Sequence, residues 1–121
     1  MAKRMANAGA DAALTYWSDA DRYTLCSAEA TTYAEGNATY ALADVTPTFD
    51  AIANGTTSGR KRGVQAKTGV AVDANGTVNH AFLGKSGDTT LRFVTTTVSQ
   101  AVVIGGTVDI GAWEMEVRDP T

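Results

Sequence analysis

The chain has 121 residues, 44% of them hydrophobic and 19% charged, with a formal net charge of -3. That length fits one domain, 1–121, around a single small core, and the composition excludes a disordered chain. The negative balance excludes the basic footprint of a general nucleic-acid binder, and no stretch approaches the ~20 apolar residues that cross a bilayer as a helix.

Lys3 and Arg4 make the N-terminus basic, but Asn, Gly and Asp interrupt the residues after them. The continuous apolar run of about 7–15 residues that a signal peptide needs is missing, so the expectation is a chain made and folded in a cytoplasm. Met5, Ala8, Gly9, Ala12, Ala13, Tyr16 and Trp17 share one face at helical spacing. This predicts a short amphipathic helix packed on its own sheet, within an N-terminal unit of residues 1–20. Ser18-Asp19-Ala20-Asp21 ends it with turn formers.

Residues 21–59 are less regular. Arg22 to Ser27 reads as a strand, with Tyr23 and Leu25 on one face and Thr24 and Cys26 on the other. As the one cysteine, Cys26 excludes an intramolecular disulfide, and its apolar setting predicts a buried, inert thiol. From Ala28 to Gly59 periodicity fades, and two short strands are expected near Tyr40–Ala43 and Thr48–Ile52.

Residues 60–119 read as four antiparallel strands in succession. Val64, Ala66, Thr68, Val70 and Val72 alternate with more polar neighbours, and Asn75-Gly76 offers a two-residue hairpin turn. Thr77–Gly84 and Leu91–Val98 come next, joined by the polar loop Lys85-Ser86-Gly87-Asp88. After Gly105-Gly106 comes a last strand, Thr107–Arg118. Its apolar parity changes at Gly111, from Val108 and Ile110 to Trp113, Met115 and Val117, which predicts a β-bulge or burial on both faces. Either way Trp113 belongs to the core. The fold class is therefore mainly β: an antiparallel β-sandwich or small open barrel with one short N-terminal helix.

The chemistry-bearing residues do not assemble into a catalytic or metal motif, and neither enzyme activity nor a cofactor is expected. His80 lies mid-strand without a second His or a Cys nearby. Ser86, His80 and Asp88 lack a nucleophile motif, and the glycines match no phosphate-cradling pattern. Asn37, Asn54 and Asn75 head formal glycosylation sequences better read as turn chemistry. Charged clusters remain as candidate protein-contact residues: Lys3 and Arg4, then Arg60, Lys61 and Arg62, and the Glu114/Glu116 pair. In a strand Arg60 and Arg62 share a face and Lys61 opposes them. A salt-bridged subunit contact or a solvated face is a better reading of these than nucleic acid.

The runs Cys26–Glu35, Ser58-Gly59-Arg60-Lys61, Thr77–Ala81 and Val98–Val102, closing with Ala112-Trp113 and Arg118-Asp119-Pro120, resemble a family of small uncharacterised proteins encoded in tailed-bacteriophage and prophage genomes. The likeness covers the chain from about Asp21 to its end. One departure is Ala30, where a proline is expected between Glu29 and Thr31. The resemblance implies a structural component of the virion, synthesised in the host bacterial cytoplasm. A capsid decoration or cement protein, bound to the major capsid protein and to itself as a homo-oligomer, leads. A tail or fibre component contacting the host surface and a small carbohydrate- or protein-binding β-module are the alternatives. Residues 1–7 would order against such a partner.

Overall fold

The computed structural model describes residues 6–119. One α-helix, α1 (Asn7–Ser18), precedes nine strands: β1 (Arg22–Cys26), β2 (Ala41–Val45), β3 (Ala53–Asn54), β4 (Arg60–Val64), β5 (Lys67–Ala71), β6 (Gly76–Lys85), β7 (Thr90–Val102), β8 (Thr107–Ile110) and β9 (Trp113–Val117). They form three sheets, ordered β2-β1-β6-β7, β3-β4-β9 and β5-β8, and every ladder is antiparallel. The molecule is thus mainly β with a short N-terminal helix, and the sheets do not close into a barrel.

β1 and β6 sit in the middle of the largest sheet, and both are covered on two sides. Tyr23 and Leu25 enter the main core with Leu14, Leu83, Val64 and Met115. Cys26 points the other way, into a small cluster with Ala30 and Phe82, flanked by Tyr33, Tyr40, Leu91 and Val94. The aperiodic chain after β1 is what covers this second face, including a single π-helical turn at Glu35–Thr39. Gly36 lies so close to the Phe82 ring that no Cβ fits there. Burial raises the Cys26 thiol to about 11, consistent with the inert thiol expected of it.

Thr24 shares this second face and is fully buried, yet its hydroxyl has no hydrogen-bond partner among the described residues. An unmet buried hydroxyl costs stability, whereas a methyl of similar shape does not. Thr24→Val should therefore leave stability unchanged or raise it by up to ~1 kcal/mol in urea denaturation. A clear loss would mean that the hydroxyl is bonded in solution.

Several expectations need correction. The run from Val64 to Val72 is two strands: β4 ends at Val64, Gln65 and Ala66 are exposed, and β5 begins at Lys67. The last strand is also two, β8 and β9, separated at Gly111-Ala112. These breaks face each other. The pairing keeps one register from Arg60↔Val117 through Val64↔Trp113 to Lys67↔Ile110, so no residue is inserted at Gly111. The change of parity marks a corner where a paired ribbon leaves one sheet for another. The register shift comes later, between Lys67 and Val70, where Gly69 has φ +64° and donates its N–H to Asp109 Oδ1 at 2.8 Å.

Nor is Asn75-Gly76 a hairpin, because β5 and β6 belong to different sheets. Asn75 Oδ1 instead accepts the Ile104 N–H at 2.7 Å, tying this link to the β7–β8 turn. The four strands are not a simple succession: the first pairs with the last, while β6–β7 forms the hairpin that adds to β1.

The helix buries a different stripe from the one its spacing suggests. Ala10 and Leu14 are buried and Trp17 packs on the core, whereas Ala8, Gly9, Ala12 and Tyr16 are exposed. Met5 lies outside the described residues. Leu14 and Trp17 carry far more apolar area than the alanines, so they set the helix rotation. Of the two short strands expected, the first is β2, one residue later than predicted. Thr48–Ile52 makes only a bridge, Phe49↔Val64, and the two-residue β3 comes after it.

Candidate assembly surface

Arg60 and Arg62 share a face of β4, as their spacing requires, and that face lies beneath α1. Arg60 Nε donates to Asp11 Oδ1 at 2.8 Å and its Nη1 to Asn54 Oδ1 at 2.7 Å. Arg62 Nε donates to the Asp50 carbonyl at 2.7 Å and Nη1 to Ser18 Oγ at 2.9 Å, with the guanidinium over the Phe49 ring. On the outer face, Lys61 pairs with Glu114 at 3.0 Å. Glu116 accepts the Thr56 N–H at 3.0 Å and lies 3.5 Å from Arg118. The structure therefore brings Arg60, Lys61, Arg62, Glu114 and Glu116 together across the β4–β9 ladder, each already engaged within the chain. The two arginines dock the helix, and the outer pairs are solvated bridges of small energetic weight. Lys3 and Arg4 lie outside the described residues.

The other polar groups are separately occupied. Ser86 donates its hydroxyl to Asp21 Oδ2 at 2.6 Å and its N–H to Oδ1 at 2.9 Å, and these bonds hold the Asp21 carboxyl below the usual carboxylate range. His80 Nδ1 lies 2.6 Å from Asn79 Oδ1. Six residues of strand, roughly 20 Å, separate it from Ser86. Asp88 is bonded by Thr90 and Arg92. Among the described residues no group of three or more His, Cys, Asp or Glu side chains is placed to hold a metal ion.

The surface that sequence reasoning misses is on β7. This strand pairs with β6 on one side and forms the edge of its sheet. From Phe93 to Ile104 it and the adjoining turn carry no charged residue, no proline and no glycine. Soluble proteins usually guard a long edge with charge or proline, and this stretch has neither. Between the pairs Val78↔Gln100 and His80↔Thr96, one residue of β6 faces three of β7, so Thr97-Val98-Ser99 swings out of the ladder. Val98 is 81% exposed, and Val103 and Ile104 at the end of the strand are 66% and 61% exposed.

Beside this excursion lies an open groove of about 490 Å³ between β7 and the corner of the ribbon. Thr96, Thr97, Val98 and Gln100 line one side, and Ile110, Gly111, Ala112 and Trp113 the other. Its walls are fixed: Gln100 Nε2 donates to the Asp109 carbonyl at 3.1 Å, and Trp113 Nε1 donates to Tyr23 Oη at 2.8 Å. The Trp113 ring stacks on Phe93 with centroids 5.7 Å apart. The run of uncharged Thr and Val residues is the available signal, and by itself it reads as ordinary strand composition. A smaller cleft of about 290 Å³ lies between Glu29, His80 and Val94 to Thr96.

No protein-family model, no curated protein and no solved structure matches the chain. Among the described residues no helix is long and apolar enough to cross a membrane.

Proposed function

We propose that this chain is a non-catalytic structural subunit of a bacteriophage particle, acting as a decoration or cement protein on the head shell. The observation that carries an assembly role is the uncharged edge from Phe93 to Ile104, with the apolar side chains of Val98, Val103 and Ile104 turned outward. An unguarded strand edge that exposes apolar side chains is a ready contact for another chain. The resemblance to phage-encoded proteins names the assembly. Decoration needs a small domain that folds alone and then binds a preformed shell through one repeated patch. The covered core suits the first requirement, and the β7 edge is the patch proposed for the second.

The test is to add the purified chain to heads from which it has been stripped. Saturable binding that is lost when Val98 and Ile104 are both made charged is expected. Failure to bind stripped heads while binding tails would transfer the role to the tail.

A further inference from the structure

We propose that Asn54-Gly55 is a self-modifying site, at which Asn54 deamidates to aspartate or isoaspartate in the folded chain. The sequence Ala-Asn-Gly-Thr occurs twice, at residues 53–56 and 74–77. The two asparagines therefore share their immediate chemical neighbours, and in each the following glycine has no Cβ to keep its backbone nitrogen from the carboxamide. The fold gives them different surroundings.

Asn75 is held in place. Its Oδ1 accepts the Ile104 N–H at 2.7 Å, and Gly76 opens the long strand β6 opposite Val102. A Cβ placed on Gly76 would lie 3.1 Å from the buried Leu42 side chain, so this backbone has little room to turn.

Asn54, in contrast, is exposed at the end of the two-residue edge strand β3, and Thr56 and Thr57 beyond it are exposed as well. Short edge segments open locally at low free energy. Opening is needed here, because the Gly55 N–H donates to the Gly59 carbonyl at 2.9 Å. Two charged groups flank the reacting atoms. Arg60 Nη1 donates to Asn54 Oδ1 at 2.7 Å, which draws electrons from the carboxamide carbon and stabilises its oxygen as that turns negative. Glu116 Oε1 accepts the Thr56 N–H at 3.0 Å and lies 2.7 Å from where a Cβ on Gly55 would stand, so a carboxylate is set against the Gly55 backbone as a base.

The step needs water and no other reagent. The Gly55 nitrogen attacks Asn54 Cγ and gives its proton to Glu116. The carboxamide nitrogen takes that proton and leaves as ammonia, and a succinimide ring closes. Water then opens the ring at either carbonyl, giving aspartate or isoaspartate. Aspartate sets a negative charge against Arg60, whereas isoaspartate routes the backbone through the side chain and disturbs the pairing of β3 with Lys61 and Arg60.

This modification goes beyond the assembly reading and does not rest on it. The test is to age the purified full chain in mildly alkaline buffer, folded and in urea, and to follow residues 54 and 75 by peptide mapping and mass spectrometry. Rates in the folded chain are read relative to those in urea, where the matching neighbours should let both sites convert alike. In the folded chain residue 54 should run at least about fivefold ahead of residue 75. Glu116→Gln, with unchanged far-ultraviolet circular dichroism, should slow residue 54 by about tenfold. A substitution that merely loosened the turn would speed it instead. Equal conversion of the two sites in the folded chain, protection of residue 54 until urea releases it, or an unchanged or faster rate in Glu116→Gln would overturn the proposal.

Discussion

Replacing Trp113 by alanine is expected to lower the free energy of unfolding by about 3–5 kcal/mol, the usual cost of deleting a large buried ring. Trp113 is only partly buried, but it stands where three parts of the fold meet. It begins β9 at the corner of the paired ribbon, opposite Val64. Its ring stacks on Phe93 of β7 and meets Tyr23 of β1 edge-on, with centroids 6.4 Å apart. Its Nε1–H bonds the hydroxyl of Tyr23, a fully buried residue. Removing the ring therefore opens a cavity and also withdraws a donor from a buried phenol, which adds a penalty of its own. Trp113→Phe should keep most of the packing and lose about 1–2 kcal/mol, and Tyr23→Phe should cancel part of that loss in a double-mutant cycle. Urea denaturation measures all three. A loss below ~1 kcal/mol for Trp113→Ala would place the ring outside the core.

Arg92→Ala should cost about 2–3 kcal/mol and should loosen α1 before the rest of the molecule. Arg92 is 7% exposed and sits where β7 carries an extra residue between Leu91 and Phe93. Its guanidinium donates to the Tyr16 carbonyl at 2.8 Å, to Thr90 Oγ1 at 2.8 Å and to Asp88 Oδ2 at 3.0 Å, and the Tyr16 ring lies 3.9 Å from its central carbon. A cation at the C-terminal turn of a helix also opposes the negative end of the helix dipole. Asp88 is exposed and rehydrates when the arginine goes, so the loss falls below the ~3–5 kcal/mol of a fully buried pair. Arg92→Lys should recover little, since one ammonium cannot reproduce a fork aimed at three acceptors. Faster amide exchange across α1, with β6 still protected, is the expected signature. Uniform acceleration over the whole chain would mean that Arg92 supports the core at large.

Local signals make several elements legible. Tyr23, Thr24, Leu25 and Cys26 alternate faces as their spacing predicts, and the polar loop after Gly84 does join two long strands. The shared face of Arg60 and Arg62 is likewise visible in their parity. What parity cannot convey is that α1 lies on that face, because Asp11 meets Arg60 from 49 residues away. The corner of the ribbon shows as a change of parity at Gly111, yet a bulge and a change of sheet give the same parity signal. Only the partner strand distinguishes them, and that pairing is long-range. The chain from Ala28 to Tyr40 looks structureless because only Ala30, Tyr33, Gly36 and Tyr40 within it pack on the Phe82 and Cys26 cluster, and most of the rest is exposed. Ala30, standing where a proline is expected, is itself buried in that cluster.

The same limit hides the free edge of β7. Phe93 to Ile104 reads as a good strand whether it is central or at an edge, and burial in the sheet would equally explain its lack of charge. Only the strand order leaves it with one neighbour. The charged residues are more conspicuous in the sequence, but they are spent within the chain, on Asp11, Asp50, Ser18, Thr56 and one another.

A structural role on the head of a phage particle is the proposal to be tested. Quantitative mass spectrometry of separated heads and tails, from particles whose genome encodes this chain, tests it most directly. Copy numbers on the order of hundreds, confined to heads, are the expected result for a protein repeated by shell symmetry. A handful of copies on tails, or none in either fraction, would contradict it.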